Sequence, residues 1–358
     1  MPATSHRWLV SPSFDLGAFV VPGALALLLA LGVGLQLEPR EDDSLALWIL
    51  GVVLVDVAHV WASLYRTYLD PAARQRHAQL LRWTPIVVFL LAFMAHAVSP
   101  RLFWGALAYV AVFHFIKQQE GFVILYLRAG GETGPRDRAL AKLAVWASTA
   151  GPVIWWHTQL PRRFTWFLAD DFIAGLPAVV GRVAVWAQVP ILLVFLARRA
   201  QLAARGVGHP MVPILVALTA LSWNLGIVWF NDGRVFTLTN VFIHGLPYLA
   251  LVFITGGREL VTRRLPSSTT LAVTVAAFYG LLAVLAFAEE TLWDRLVWHE
   301  HVSLFGHGQL ELGELGLALC VALLSVPQAT HYVLDRYIWR VGPQNPRLAE
   351  QLGLTKPT

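Results

Sequence analysis

The feature that most limits how this chain can fold is a succession of long apolar runs. Ten of them, near residues 16–36, 45–65, 84–99, 102–127, 140–160, 174–197, 210–230, 236–256, 268–288 and 312–336, approach the length that carries a helix across a bilayer. A hydrocarbon core about 30 Å thick needs ~20 helical residues. In lipid every backbone polar group needs an internal partner, which leaves the helix as the economical element for runs of this length. Apolar residues make up 57% of the 358 and charged residues 14%, whereas a soluble domain carries about 25% charged. That is too little charge to cover a water-facing surface around so many runs. The sequence therefore predicts an all-α polytopic membrane protein of about ten transmembrane helices, forming a single transmembrane domain over residues 1–358. Its expected surroundings are membrane lipids, with no nucleic-acid partner.

Turn signals separate neighbouring runs at Ser99-Pro100-Arg101 and Asn231-Asp232-Gly233. The first run follows Arg7 and lacks a small-residue cleavage site, so it reads as a span rather than a removable signal. With the N-terminus inside, nineteen of the 27 Lys and Arg fall in inner segments and six in outer ones. The inner clusters include Arg66, Arg74, Arg76 and Arg82, then Arg128, Arg136, Arg138 and Lys142. The positive-inside rule then places both termini in the cytoplasm. The outer segments collect acids: Glu38, Glu41, Asp42, Asp43, Asp170, Asp171, Glu289 and Glu290. The single cysteine, Cys320, excludes an internal disulfide and any multi-thiolate metal site.

Ionisable residues inside spans are costly and mark functional positions. Four spans carry a polar stripe centred on a histidine. The second span places Asp56, His59 and Ser63 at helical spacing, and the fourth places His114 beside Gln118, with Lys117 and Glu120 one turn apart. The eighth reads Asn240, His244, Gly245, Pro247, Tyr248, and Pro247 denies the Ile243 carbonyl its helical donor. The tenth carries Gln328, His331, Tyr332 and Asp335. Asp335 has a competing surface explanation, pairing with Arg336 or Arg340. A lone buried histidine is more often a packed core residue than a ligand. Four of them on spans running in the same direction, each with a carboxylate or carboxamide one turn away, form a stronger pattern. His96 and His157 lie near outer span ends, and His299, His301 and His307 fall in the ninth loop, where a solvated loop is the favoured explanation.

Imidazole and carboxylate without thiolate suit iron, with zinc or manganese as further candidates. The expected metal ligands are His59, His114, His244 and His331, with Asp56, Gln118 and Asp335 as ligands or as groups that orient them. Tyr248 and Tyr332 are candidate hydrogen-bond donors to bound oxygen, and Lys117 with Glu120 a candidate acid–base pair. Asp56-x-x-His59, His114-Phe115, Phe242-Ile243-His244 and Val326-Pro327…His331…Asp335 resemble, in order, the His-bearing spans of the bacterial Brp/Blh-like β-carotene dioxygenases. The resemblance covers about a tenth of the chain. The family's first motif has His before Asp, and here the order is reversed. The resemblance implies iron, an isoprenoid substrate and a multi-pass place in a bacterial cytoplasmic membrane. The paired HxxxH and HxxHH boxes of membrane desaturases are absent.

The resulting expectation is a membrane-embedded non-haem metal oxidoreductase or oxygenase acting on a lipid or isoprenoid, with a redox partner the sequence does not identify. A proton-coupled transporter without metal is the first alternative, resting on the kinked spans and the Lys117–Glu120 pair. A lipid-linked glycosyltransferase is the second, resting only on the short acidic loop Glu38–Asp43. A purely structural protein would need none of the buried histidines.

Overall fold

A computed structural model of the chain describes residues 8–36, 45–132, 134–307 and 310–354. Among these, the long helices in chain order are α1 (Pro12–Gly34), α2 (Leu45–Arg66), α3 (Ala78–Val98), α4 (Pro100–Ala129), α5 (Pro135–His157), α6 (Ala178–Ala204), α7 (Met211–Trp229), α8 (Gly233–Thr262), α9 (Leu271–Trp298) and α10 (Glu314–Ile338). Short helical turns at Pro71–Arg76, Val302–Phe305 and Leu348–Gln351 connect or follow them. The protein is all-α and polytopic: eight of the long helices, all but α4 and α5, are long and apolar enough to cross a membrane. α4 and α5 fall where spans were expected but are not among those eight. The acidic loop Glu38–Asp43 and the terminal residues His6, Arg7 and Lys356 lie outside the described residues.

Local sequence explains the helix ends. Pro100 and Pro135 open α4 and α5, where a missing N–H costs nothing. Ser11 caps α1 by accepting from the Phe14 amide at 3.1 Å. Gly131, at φ +72°, closes α4 in the left-handed conformation that favours glycine, and the Glu132 amide reaches back to the Leu127 carbonyl at 2.8 Å. α10 is interrupted at Ser325, just before Pro327, so the expected tenth span is two helical pieces.

The chain divides into two compact units. One holds Met1–Leu47, Ala111–Pro247 and Ala349–Thr358. In it α5 and α6 approach closely enough that a Cβ at Gly151 would lie 2.9 Å from the Ala184 carbonyl. Small residues permit such approaches between membrane helices. Arg162 closes the end of α7 by donating to the Ile227 and Phe230 carbonyls at 2.9 and 2.6 Å, and burial lowers its pKa to about 10. Asp171 is an interior turn anchor, accepting from the Phe167 and Leu168 amides at 2.5 and 2.8 Å. His209 is fully buried, its ring 5.1 Å from each of Trp8 and Tyr126.

The other unit holds Trp48–Val110 and Tyr248–Leu348. Here α9 runs past its expected end at residue 288, so Glu289 and Glu290 lie within a helix and not in an outer loop. The reason for Glu289 is local: its carboxylate accepts indole N–H groups from Trp61 at 2.7 Å and Trp293 at 3.3 Å, which offsets its desolvation. Arg66 ties three helices together. It donates to the Thr255 carbonyl on α8 at 2.5 Å and to the Ile338 carbonyl on α10 at 3.0 Å, with its guanidinium 5.3 Å from the Trp339 ring centroid.

Candidate metal centre

In the first unit, α4 supplies His114 and α8 supplies His244, both buried, with ring centroids 5.2 Å apart and planes at 79°. Phe115 stacks on His244 at 3.7 Å, within 2° of parallel, and so fixes the plane of that imidazole. The Pro247 break has the consequence its chemistry demands. The Ile243 carbonyl accepts from Gln119 Nε2 at 3.2 Å, and the adjacent His244 carbonyl accepts from Gln118 Nε2 at 2.9 Å. Gln119 also accepts from the Thr219 hydroxyl at 3.2 Å. The amide nitrogen of Gln118 therefore holds backbone, while its carbonyl oxygen is buried without a hydrogen-bond donor among the described residues. Asn240 bonds back into its own helix at the Phe236 carbonyl, 3.2 Å, and the Thr239 hydroxyl, 3.1 Å. Gln119 was missed by sequence reasoning. The signal existed, since a carbonyl freed by proline inside a membrane requires a donor and only a polar span can provide one.

In the second unit, α2 supplies His59 and α10 supplies His331, each 1% exposed, with ring centroids 5.0 Å apart and planes at 82°. Tyr248 of α8 is fully buried against both rings, at 5.5 and 5.2 Å, and its hydroxyl donates to Asp335 Oδ1 at 2.7 Å. The same carboxylate oxygen lies 3.7 Å from His331 Nδ1, and Asp56 Oδ1 lies 3.5 Å from His59 Nδ1. Asp335 thus belongs to the histidine side of α10. The approach to Asp56 is built from wide helical turns over Trp48–Val57 before the helix tightens through Ala58–Ala62. Such widened turns recur at functional sites. Two stripe members bond within their own helices: Ser63 donates to the Val60 carbonyl at 2.8 Å, and Gln328 donates to the Tyr332 hydroxyl at 2.8 Å.

The donor chemistry fits a metal. Two imidazoles on one ion, with metal–nitrogen distances of about 2.1 Å and an angle near tetrahedral, place ring centroids roughly 5 Å apart. Both histidine pairs have that separation. T-shaped aromatic packing has it too. A carboxylate lies near Nδ1 of both His59 and His331, where metal-bound imidazole commonly has its orienting group. Among the described residues, the side chains grouped as able to hold a metal ion include His59, His114, His244, His331 and Asp335.

Other expected residues are set apart. Lys117 does pair with Glu120, at 2.8 Å, but Lys142 reaches the same oxygen at 3.0 Å and the Trp146 indole takes the other at 2.8 Å. Both lysines are 44% exposed; Lys117 stands on a different face of α4 from the buried His114 and Gln118, and Lys142 comes from α5. His96 packs on Phe103, and His157 bonds the Val153 carbonyl of its own helix at 2.6 Å. In the described part of the ninth loop, His301 stacks on Trp48 at 3.9 Å, and Asp294 accepts the Glu300 and His301 amides at 3.0 and 2.7 Å.

No family model, no curated protein and no solved structure matches this chain. The fold and site define a class: a polytopic all-α membrane protein whose histidine and aspartate side chains, gathered from several helices, are capable of coordinating a metal ion.

Proposed function

We propose that the protein is a membrane metalloenzyme, a non-haem iron oxidoreductase or oxygenase that acts on a hydrophobic lipid or isoprenoid substrate. The observation that carries the proposal is the second-unit arrangement: two buried imidazoles from separate helices at 5.0 Å, one backed by a carboxylate that a buried tyrosine holds. His59, His114, His244 and His331 are the proposed ligands, with Asp56, Asp335 and Gln118 as further ligands or orienting groups. Bound iron would supply one-electron and O₂ chemistry, and an imidazole–carboxylate donor set leaves coordination positions open for it. The protein's own contribution is positional. Phe115 fixes the His244 plane, Asp335 and Asp56 set the ring orientation of His331 and His59, and Tyr248 keeps the Asp335 carboxylate in place. The surrounding helices bury these side chains away from bulk water, and the bilayer would supply the apolar substrate. The motif resemblance to the Brp/Blh-like dioxygenases supports iron and an isoprenoid within this reading. A bacterial cytoplasmic membrane is the proposed location, with both termini inside.

The test is elemental analysis of the purified full-length protein beside His59→Ala and His331→Ala. Iron in stoichiometric amount, lost in both variants and retained in His96→Ala, is the expected result. An active protein without metal, or equal loss in His96→Ala, overturns the assignment and favours the metal-free transporter.

A further inference from the structure

The α4–α5 charge cluster is not absorbed by the metal reading, and it has the chemistry of an anion site. Lys117 and Lys142 both donate to one oxygen of Glu120, at 2.8 and 3.0 Å, while Trp146 donates to the other at 2.8 Å. The carboxylate is 7% exposed and each ammonium 44%. An ammonium has three donors, and Glu120 engages one from each. Two cations on one carboxylate leave a net positive charge presented outward.

Two more cations lie further along the same helices: Arg128 near the end of α4 feels the positive charge of Arg138 near the start of α5. The acids that would neutralise them are engaged elsewhere: Asp137 forms a two-point pair with Arg198, at 2.7 and 3.0 Å, and Glu132 pairs with the buried Arg199. Toward the other end of the cluster the exposed groups turn apolar. Phe113 precedes Lys117 by one turn and is 55% exposed, and Leu143 beside Lys142 is 50% exposed. Gly121, one turn beyond Lys117, has open space where a Cβ would stand. Cations bordered by exposed apolar side chains on an outward helix face match one occupant, an amphiphile with an anionic head and acyl chains.

We infer that the Lys117–Glu120–Lys142 cluster holds the phosphate of an anionic phospholipid, with the acyl chains against Phe113 and Leu143. Glu120 positions the two ammonium groups, and Trp146 holds Glu120. Basic sites between membrane helices bind anionic headgroups in this way. The inference does not depend on the metal, so metal content and lipid binding fail independently.

The experiment is native mass spectrometry of delipidated full-length protein titrated with dioleoyl phosphatidylglycerol or dioleoyl phosphatidylcholine. Preferential retention of the anionic lipid is expected. Lys117→Gln with Lys142→Gln should weaken it roughly 30-fold, from about fivefold per cation removed, with metal content unchanged. Glu120→Gln should keep or increase the preference. Should the double variant not fold, the two single variants are each expected to show the fivefold step. No preference in the native protein, or equal retention by the lysine variants, overturns the inference. Competition of inorganic phosphate for the site at the lipid's own concentration overturns the lipid assignment as well.

Discussion

Asp335→Asn isolates the function proposed for the second histidine pair. Asparagine has nearly the shape of aspartate and can still accept the Tyr248 hydroxyl that now sits 2.7 Å from Oδ1, so packing is preserved and only the negative charge goes. With the metal on His331 Nε2, the carboxylate 3.7 Å from Nδ1 stands roughly 8 Å from the ion once ring and metal–nitrogen bond are added. A unit negative charge and a divalent cation at that distance interact by about 4 kcal/mol at an effective dielectric of ~20, or about a thousandfold in affinity. Loss of groups that orient a metal-bound imidazole costs ~10–100-fold. The two figures bracket the expectation: metal affinity falls by between tenfold and about a thousandfold, with little change in melting temperature. Competition with a chelator of known affinity, read by elemental analysis, measures it. A change under about threefold, in a variant series where His331→Ala loses the metal, refutes the role given to Asp335.

Further outcomes follow from the packing. Gln119→Leu leaves the buried Ile243 carbonyl without its side-chain donor, and thermal denaturation in detergent should show a loss of about 1–3 kcal/mol. Gly226→Ala drives a methyl into Thr239 and Asn240 of α8, whereas Gly121→Ala meets open space. The first should destabilise by about 1–3 kcal/mol and the second leave the melting temperature unchanged; equal behaviour would contradict the packing of α7 on α8. The hydrogen bonds from Arg198 hold the Asp137 carboxyl below its ordinary range. The pair's stabilisation is therefore present above the ordinary carboxylate pKa and is lost as pH falls through the depressed folded value. Asp137→Asn should melt lower than the native protein at neutral pH, with the gap narrowing below about pH 4.

Sequence alone determined the solvent and the element. The apolar runs, set against only 14% charge, require helices in a bilayer, and the runs predicted the positions of the long helices to within several residues at most ends. The four histidines were legible because an imidazole inside a span is conspicuous against its neighbours, and the donor needed at Ile243 followed from Pro247 by backbone chemistry. Tertiary structure decided which neighbours on a helix act together. Helical periodicity places Asp56, His59 and Ser63, or Gln328, His331 and Asp335, on one stripe, but it does not contain the partners on other helices. Tyr248 draws Asp335 to the histidine side, while Gln328 turns to Tyr332. The same limit explains Glu289, assigned to a loop by its charge and kept in a helix by two indole donors, one of them 228 residues away. It also explains Lys117, whose pairing with Glu120 was readable from spacing, whereas the second lysine that makes the cluster cationic comes from another helix. Helix formation is a local property that periodicity reports. Pairing across helices is set by packing between segments distant in sequence, and only the folded chain specifies it.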